Sequence, residues 1–127
     1  MSDAKTILDI IKEKEIQFVD LRFTDPRGKM QHVSQHVSTI DEQTLAEGFM
    51  FDGSSIAGWK AINESDMKLM PDASSAYLDP FYAEKTVCVH CTVVEPDTGE
   101  SYARDPRGCA QRAEAYLKLT GIVKLYL

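Results

Sequence analysis

Three short stretches of this sequence hold residue types that could do chemistry. Cys88-Val89-His90-Cys91 has the spacing of a metal site, and thiolate and imidazole are ligands that zinc favours. His32 and His36 stand four apart, a spacing that suits one face of a helix. The segment Phe49-Met50-Phe51-Asp52-Gly53-Ser54-Ser55-Ile56-Ala57-Gly58-Trp59, followed by Asn63-Glu64-Ser65-Asp66, sets carboxylates among aromatic residues and glycines.

Spacing alone does not make a ligand set. Thr86 to Val94 is almost all β-branched or small and apolar, so it reads as a strand. On a strand, residues three apart point to opposite faces, so Cys88 and Cys91 cannot share an ion. No second ligand pair stands elsewhere at zinc spacing, and packing is the better account of both thiols. His32 and His36 fall in strand and loop surroundings, where a spacing of four carries no meaning. No glycine-rich loop follows a strand in the phosphate-binding pattern, and no Ser/His/Asp order is convincing. We assign no metal ligands.

Asp52 is left with two readings. In one, its side chain bonds its own backbone in an Asx turn and Gly53 supplies the bend. In the other, a stiff loop studded with apolar residues presents the carboxylate for use. The residues themselves leave both open.

The elements that must hold this loop follow from periodicity. Residues 3–15 read as a helix with Ile7, Leu8 and Ile11 on one face, capped by Ser2 or Asp3. Residues 16–24 switch to period two: Val19, Leu21 and Phe23 point one way, and Asp20, Arg22 and Thr24 the other. Asp25-Pro26-Arg27-Gly28 is a hairpin turn that leads to a second strand from Lys29 to Ser34. Thr39 and Glu42 fit a capping box for a short helix that Gly48 ends. Phe49 to Ser65 reads as a long loop, too apolar for a disordered linker. Strands are expected at 67–70, 76–78 and 86–94, with a return at 101–103 after the turn at Glu95-Pro96-Asp97-Thr98-Gly99. Asp105-Pro106 opens a last helix with Ala110, Ala113, Tyr116 and Leu117 as its buried stripe, closed by Gly121. The order predicts an α+β fold, not a βαβ repeat.

Bulk properties narrow the function. The chain has 127 residues and a net charge of −6. An acidic chain is a poor nucleic-acid binder, because phosphate contacts need a basic surface, and a poor partner for anionic lipid. No run approaches the ~20 apolar residues that span a bilayer, and the N-terminus lacks a signal pattern. A cytoplasmic location is expected, with the three cysteines as free thiols.

Several motifs, in order, resemble the N-terminal region of type I (bacterial) glutamine synthetases. They are Phe18-Val19-Asp20-Leu21-Arg22-Phe23-Thr24-Asp25, Met50 to Ile56, Ile62-Asn63-Glu64-Ser65-Asp66-Met67 and Leu69-Met70-Pro71-Asp72. Arg104-Asp105-Pro106-Arg107 with Ala113-Glu114-Ala115-Tyr116 completes the set. The resemblance covers about residues 4–122. It implies a β-grasp-like mixed sheet at residues 1–103, with residues 104–127 as the truncated start of a catalytic domain. It also implies an ATP-dependent glutamate–ammonia ligase, a nitrogen-assimilating enzyme that activates the glutamate side chain by phosphorylation before ammonia attacks.

The family builds stacked rings of identical subunits, with each active site between neighbours. Carried over by position, Asp52 matches the aspartate that binds ammonium and takes its proton. Ser55 matches a serine lining the same site, Trp59 a loop tryptophan that reaches it, and Asp66 a further candidate contributor. The chemistry is reasonable, since ammonium must lose a proton before it can attack and a carboxylate both attracts the cation and accepts the proton.

The family's metal-binding glutamates, ATP site and glutamate site lie beyond the matched region. ATP and Mg or Mn therefore belong to the full-length enzyme, with no cofactor expected in this chain. Val123-Lys124-Leu125-Tyr126-Leu127 departs from the pattern, which makes a truncated, catalytically incompetent fragment the expectation. The alternative is a non-catalytic module that docks on full-length subunits.

Overall fold

The computed structural model describes residues 3–56 and 66–121. Trp59, the Asn63-Glu64-Ser65 stretch and the 123–127 tail lie outside the described residues, as does Ser2.

A mixed sheet with α1 (Asp3–Glu13) and α2 (Glu42–Glu47) packed on one face forms the body. Its strands are β1 (Phe18–Thr24), β2 (Met30–His36), β3 (Phe49–Asp52), β4 (Asp66–Pro71), β5 (Tyr77–Leu78) and β6 (Thr86–Val94). The strand order is β2-β1-β6-β4-β3, with β5 also on β6. The β1–β6 pairing is parallel and runs from Phe18 opposite Thr86 to Arg22 opposite His90; the other pairings are antiparallel.

Alternation decides which side chains meet the helices. Val19, Leu21 and Phe23 of β1, Met67 and Leu69 of β4, and Val87, Val89, Cys91 and Val93 of β6 are all buried in one core. Ala4 and Ile7 close it from α1, and Leu45 from α2. The hairpin turn forms as its residues dictate: the Asp25 carboxylate accepts N–H bonds from Arg27 and Lys29, both at 2.9 Å, and Gly28 takes φ +84°.

Several expectations need correction. Asp41, not Thr39, caps α2, and its box partner is Thr44, not Glu42; Asp41 Oδ1 accepts the Thr44 N–H at 2.7 Å. Thr39 is used up in the preceding 3-10 turn, where its hydroxyl donates to the His36 carbonyl at 2.8 Å. The segment after Gly48 opens as β3 and a 3-10 turn, not as a loop. The return at 101–103 reduces to one bridge between Val94 and Ser101.

The largest departure is at α3 (Pro106–Thr120), whose predicted stripe is not buried. Ala110, Ala113 and Tyr116 are exposed and Leu117 is half-buried. Among the described residues α3 is tied down near its start, where Gln111 also donates to the Thr92 hydroxyl of β6 at 3.2 Å. The carboxylate of Asp105, itself buried, accepts N–H bonds from Arg107 and Gly108, both at 3.2 Å, and from Val93 of β6 at 3.0 Å.

The far face of the sheet holds a buried polar network. Asp20 is fully buried there. It accepts hydrogen bonds from Arg22 Nε at 2.9 Å, His32 Nδ1 at 2.7 Å and the Ser34 hydroxyl at 3.0 Å. The Arg22 guanidinium then reaches across β6 to the Tyr77 hydroxyl and to Asp79, both at 2.7 Å. Burial pushes the Asp20 carboxyl up, but the bonds from Arg22, His32 and Ser34 outweigh it and hold the group below its ordinary range.

Candidate functional site

The candidate site sits at the end of β3. Phe49 and Phe51 turn inward, half-buried, and Phe51 packs on Phe23 with ring centroids 5.1 Å apart. By period two, Met50 and Asp52 must then face outward, and both are exposed. Immediately after Asp52 the chain folds into a 3-10 turn, Gly53–Ser55; Gly53 and Ile56, the residue after the turn, are buried. The Asp52 carboxylate caps this turn: Oδ1 accepts the Ser54 N–H at 2.9 Å and the Ser54 hydroxyl at 2.6 Å. Asp52 is thus a turn residue and an exposed carboxylate at once, so the two sequence readings are not exclusive. Ser55 is exposed beside it.

Register adds what spacing did not foretell. Asp52 pairs directly with Asp66 on β4, and both are exposed. Directly opposed residues share a face with Cβ atoms about 5 Å apart, and like charges so placed repel. Two of the four predicted site residues therefore meet, a third, Ser55, lies on the adjoining turn, and Trp59 falls outside the described residues. A pair of opposed carboxylates is an arrangement that a cation relieves.

A second copy of the same device shows what it does when it is only structural. Asp72-Ala73-Ser74-Ser75 repeats the Asp-x-Ser-Ser pattern after β4 and makes the same turn, with Asp72 Oδ1 accepting Ser74 N–H at 3.0 Å and its hydroxyl at 2.6 Å. Here the other oxygen takes Arg107 at 2.6 Å, and Ser75 Oγ accepts the His90 N–H at 2.8 Å. Burial raises the Asp72 carboxyl, but the Ser74 bonds and the Arg107 charge more than offset it, leaving the group below its usual range. The sequence analysis did not use this repeat, although the two Asp-x-Ser-Ser copies stand twenty residues apart in plain view.

The thiols take the places that alternation assigned. Cys88 lies on the far face, where its thiol donates to Asp79 at 3.4 Å, and Cys91 lies in the core. Burial pushes them up to about 11 and about 12. Among the described residues no three His, Cys, Asp or Glu side chains gather into a metal-binding group, and no helix is long and apolar enough to cross a membrane.

A mixed sheet with its central pair parallel, helices on one face and carboxylates at the end of an edge hairpin defines an α+β domain of the β-grasp class. Residues 15–96 match the family model described as glutamine synthetase, beta-Grasp domain. The chain belongs to that family. It is 66% identical over 122 residues to the glutamine synthetases of Cereibacter sphaeroides and Rhodobacter capsulatus, and 53% identical over 124 residues to that of Salmonella typhimurium. These matches cover 96%, 96% and 98% of this chain but only 26%, 28% and 26% of the relatives, so the chain spans about a quarter of their length. Among solved structures, a Plasmodium falciparum glutamine synthetase superposes with a TM-score of 0.85 at 24% identity, over 95% of this chain and 23% of that one. That likeness bears on the fold.

Proposed function

We propose that this chain is the N-terminal part of a glutamate–ammonia ligase and lends an ammonium-side loop to the active site of a neighbouring subunit. Asp52 binds ammonium and takes its proton, Ser55 lines the site, and Asp66 and Trp59 contribute to it. The observation that carries this is the exposed Asp52, held by its own turn and set opposite Asp66. A cation placed between two opposed carboxylates relieves their repulsion, and an ionised carboxylate accepts the proton that ammonium must lose before it can attack. The exposed Asp52 lies on the face of β3 opposite the half-buried Phe49 and Phe51.

Residues 104–127, with α3, are the start of the catalytic domain in this reading, and residues 1–103 the β-grasp domain. ATP and Mg or Mn act in the full-length enzyme, in the cytoplasm, within a ring of identical subunits. Nucleic acid and membrane have no role. The chain alone forms no glutamine. The second reading, a non-catalytic module docking on full-length subunits, is favoured by the exposed apolar stripe on α3.

The test is a chimera in which residues 1–121 replace their counterpart in the Cereibacter sphaeroides enzyme. Asp52→Asn keeps the capping oxygen, because Asn caps about as well as Asp, but gives up the proton acceptor. Glutamine formation should fall about 10²- to 10⁴-fold while assembly and melting are unchanged. Activity within a few-fold of the parent chimera would refute the assignment.

A further inference from the structure

The register that sets Asp52 opposite Asp66 also brings a lysine to the same face. Asp66 and Lys68 are two apart on β4, so their side chains leave the same side of the sheet about 7 Å apart along the strand. Met50 stands directly opposite Lys68 on β3, which makes Asp52 its diagonal neighbour. Diagonal neighbours are about 7–8 Å apart, a gap that a long side chain spans. An amine on a flexible four-carbon stem therefore reaches both carboxylates.

The surroundings of Lys68 offer it little else. Met50 opposite is apolar, and so is Val94, its buried neighbour on β6. The half-buried lysine lays its stem against the bare Cα of Gly48: a Cβ there would stand 2.8 Å from Lys68 Cγ. Glu47, next in the chain to Gly48, already accepts Gln43 Nε2 at 3.1 Å. Among the described residues the Lys68 amine is in no ion pair, so the arm is parked and free to swing. The second Asp-x-Ser-Ser turn shows that such an aspartate takes a basic side chain while it caps: Asp72 does both, with Arg107 at 2.6 Å.

We propose, resting on the reading of the carboxylate pair as the ammonium site, that Lys68 is a built-in competitor of the substrate cation. Its own ammonium group swings onto Asp52 and Asp66 when the site is empty and leaves when free ammonium enters. The two cations carry the same charge on nitrogen and donate through the same kind of N–H, so one excludes the other. The empty pair is then relieved of its repulsion, and the concentration of ammonium needed to fill the site rises. A fixed guanidinium such as Arg107 on Asp72 would close the site permanently. An exposed lysine contact is weak enough to be displaced.

Two measurements test the proposal. A carbodiimide joins an amine to a carboxylate that it touches, and it should couple Lys68 of the 127-residue chain to Asp66 or Asp52, read by peptide mass mapping. In the Cereibacter sphaeroides chimera, Lys68→Met keeps the bulk of the stem and removes the charge. Its KM for ammonium should fall about two- to five-fold, the size of an exposed ion pair, with the KM for glutamate unmoved. Absence of an amide from Lys68 to either aspartate, or coupling to Glu47 in their place, overturns the proposal. So does an ammonium KM that Lys68→Met leaves unchanged while Asp52→Asn still cuts glutamine formation; the ammonium site then stands without a competitor. If Asp52→Asn is as active as its parent, the site itself fails and the competitor falls with it.

Discussion

Replacing Arg22 by methionine tests the far-face network. Arg22 is the permanent positive charge bonded to the buried Asp20, and it also ties down Tyr77 and Asp79. Taking one partner from a buried pair costs about 3–5 kcal/mol, chiefly because the other charge stays buried. The Arg22 side chain is 20% exposed, so water can reach part of what it leaves, and His32 and Ser34 still hold Asp20. About 2–4 kcal/mol is then expected, against a total of ~5–15 kcal/mol for such a domain. The melting temperature should fall by about 10 °C.

The pH dependence carries a sharper sign. In the parent chain Asp20 lies below its ordinary value, so its contribution is present above the unfolded value of about 4 and fades as the pH drops through the lower folded value. Without Arg22, burial dominates and the folded carboxyl moves up. Protonation then favours the mutant's native state, and the deficit at pH 7 should shrink as the pH approaches about 4. Urea unfolding followed by circular dichroism at both pH values measures it. A loss under about 1 kcal/mol, or a deficit that does not change with pH, would refute the assignment of Arg22 as the compensating charge.

Three further outcomes are expected. Asp105→Ala should cost about 2–3 kcal/mol, because it removes a helix cap and strands the Val93 N–H in the core; hydrogen exchange should show α3 opening first. Burial holds the Asp105 carboxyl above its usual range, so its charged form costs stability as the pH rises through that value, and Asp105→Asn should be milder at pH 7 than Asp105→Ala. Gly48→Ala should lose at least about 2 kcal/mol in urea unfolding, since φ is +91° and a Cβ would stand 2.5 Å from Met70 Sδ and 2.8 Å from the Leu69 carbonyl oxygen. An aromatic disulfide reagent should titrate Cys109 rapidly in the native chain, with Cys88 and Cys91 reacting only after unfolding.

Local rules reached a good part of this structure. Thr86 to Val94 is a strand with the bounds that its composition suggested. Asp25 to Gly28 turns the hairpin, and Asp105, Pro106 and Gly121 bracket α3 at their expected places. What escaped depends on residues distant in the chain. Asp20 falls opposite the core residues by period two, and it is buried there because Arg22, held by Tyr77 and Asp79 from more than fifty residues away, closes over it. The α3 stripe has a correct helical period, but period says only that a face wants cover and not whether the described chain supplies it. Asp52 stands out as a candidate in its aromatic setting, and the family resemblance suggests its role. Its encounter with Asp66 could not be foreseen, because that follows from the register of β3 on β4.

The parallel pairing of Phe18 with Thr86 also has a consequence in time. Roughly fifty residues lie between the end of the β1–β2 hairpin at His36 and the start of β6 at Thr86, and a ribosome adding about 5–20 residues per second needs some 2 to 10 s to supply them. Through that interval Val19, Leu21 and Phe23 of the finished hairpin lack their β6 neighbours, so the cover that α1 supplies is incomplete. The nascent protein is then most open to capture by chaperones or by its own kind, and slower translation before Thr86 lengthens the exposure.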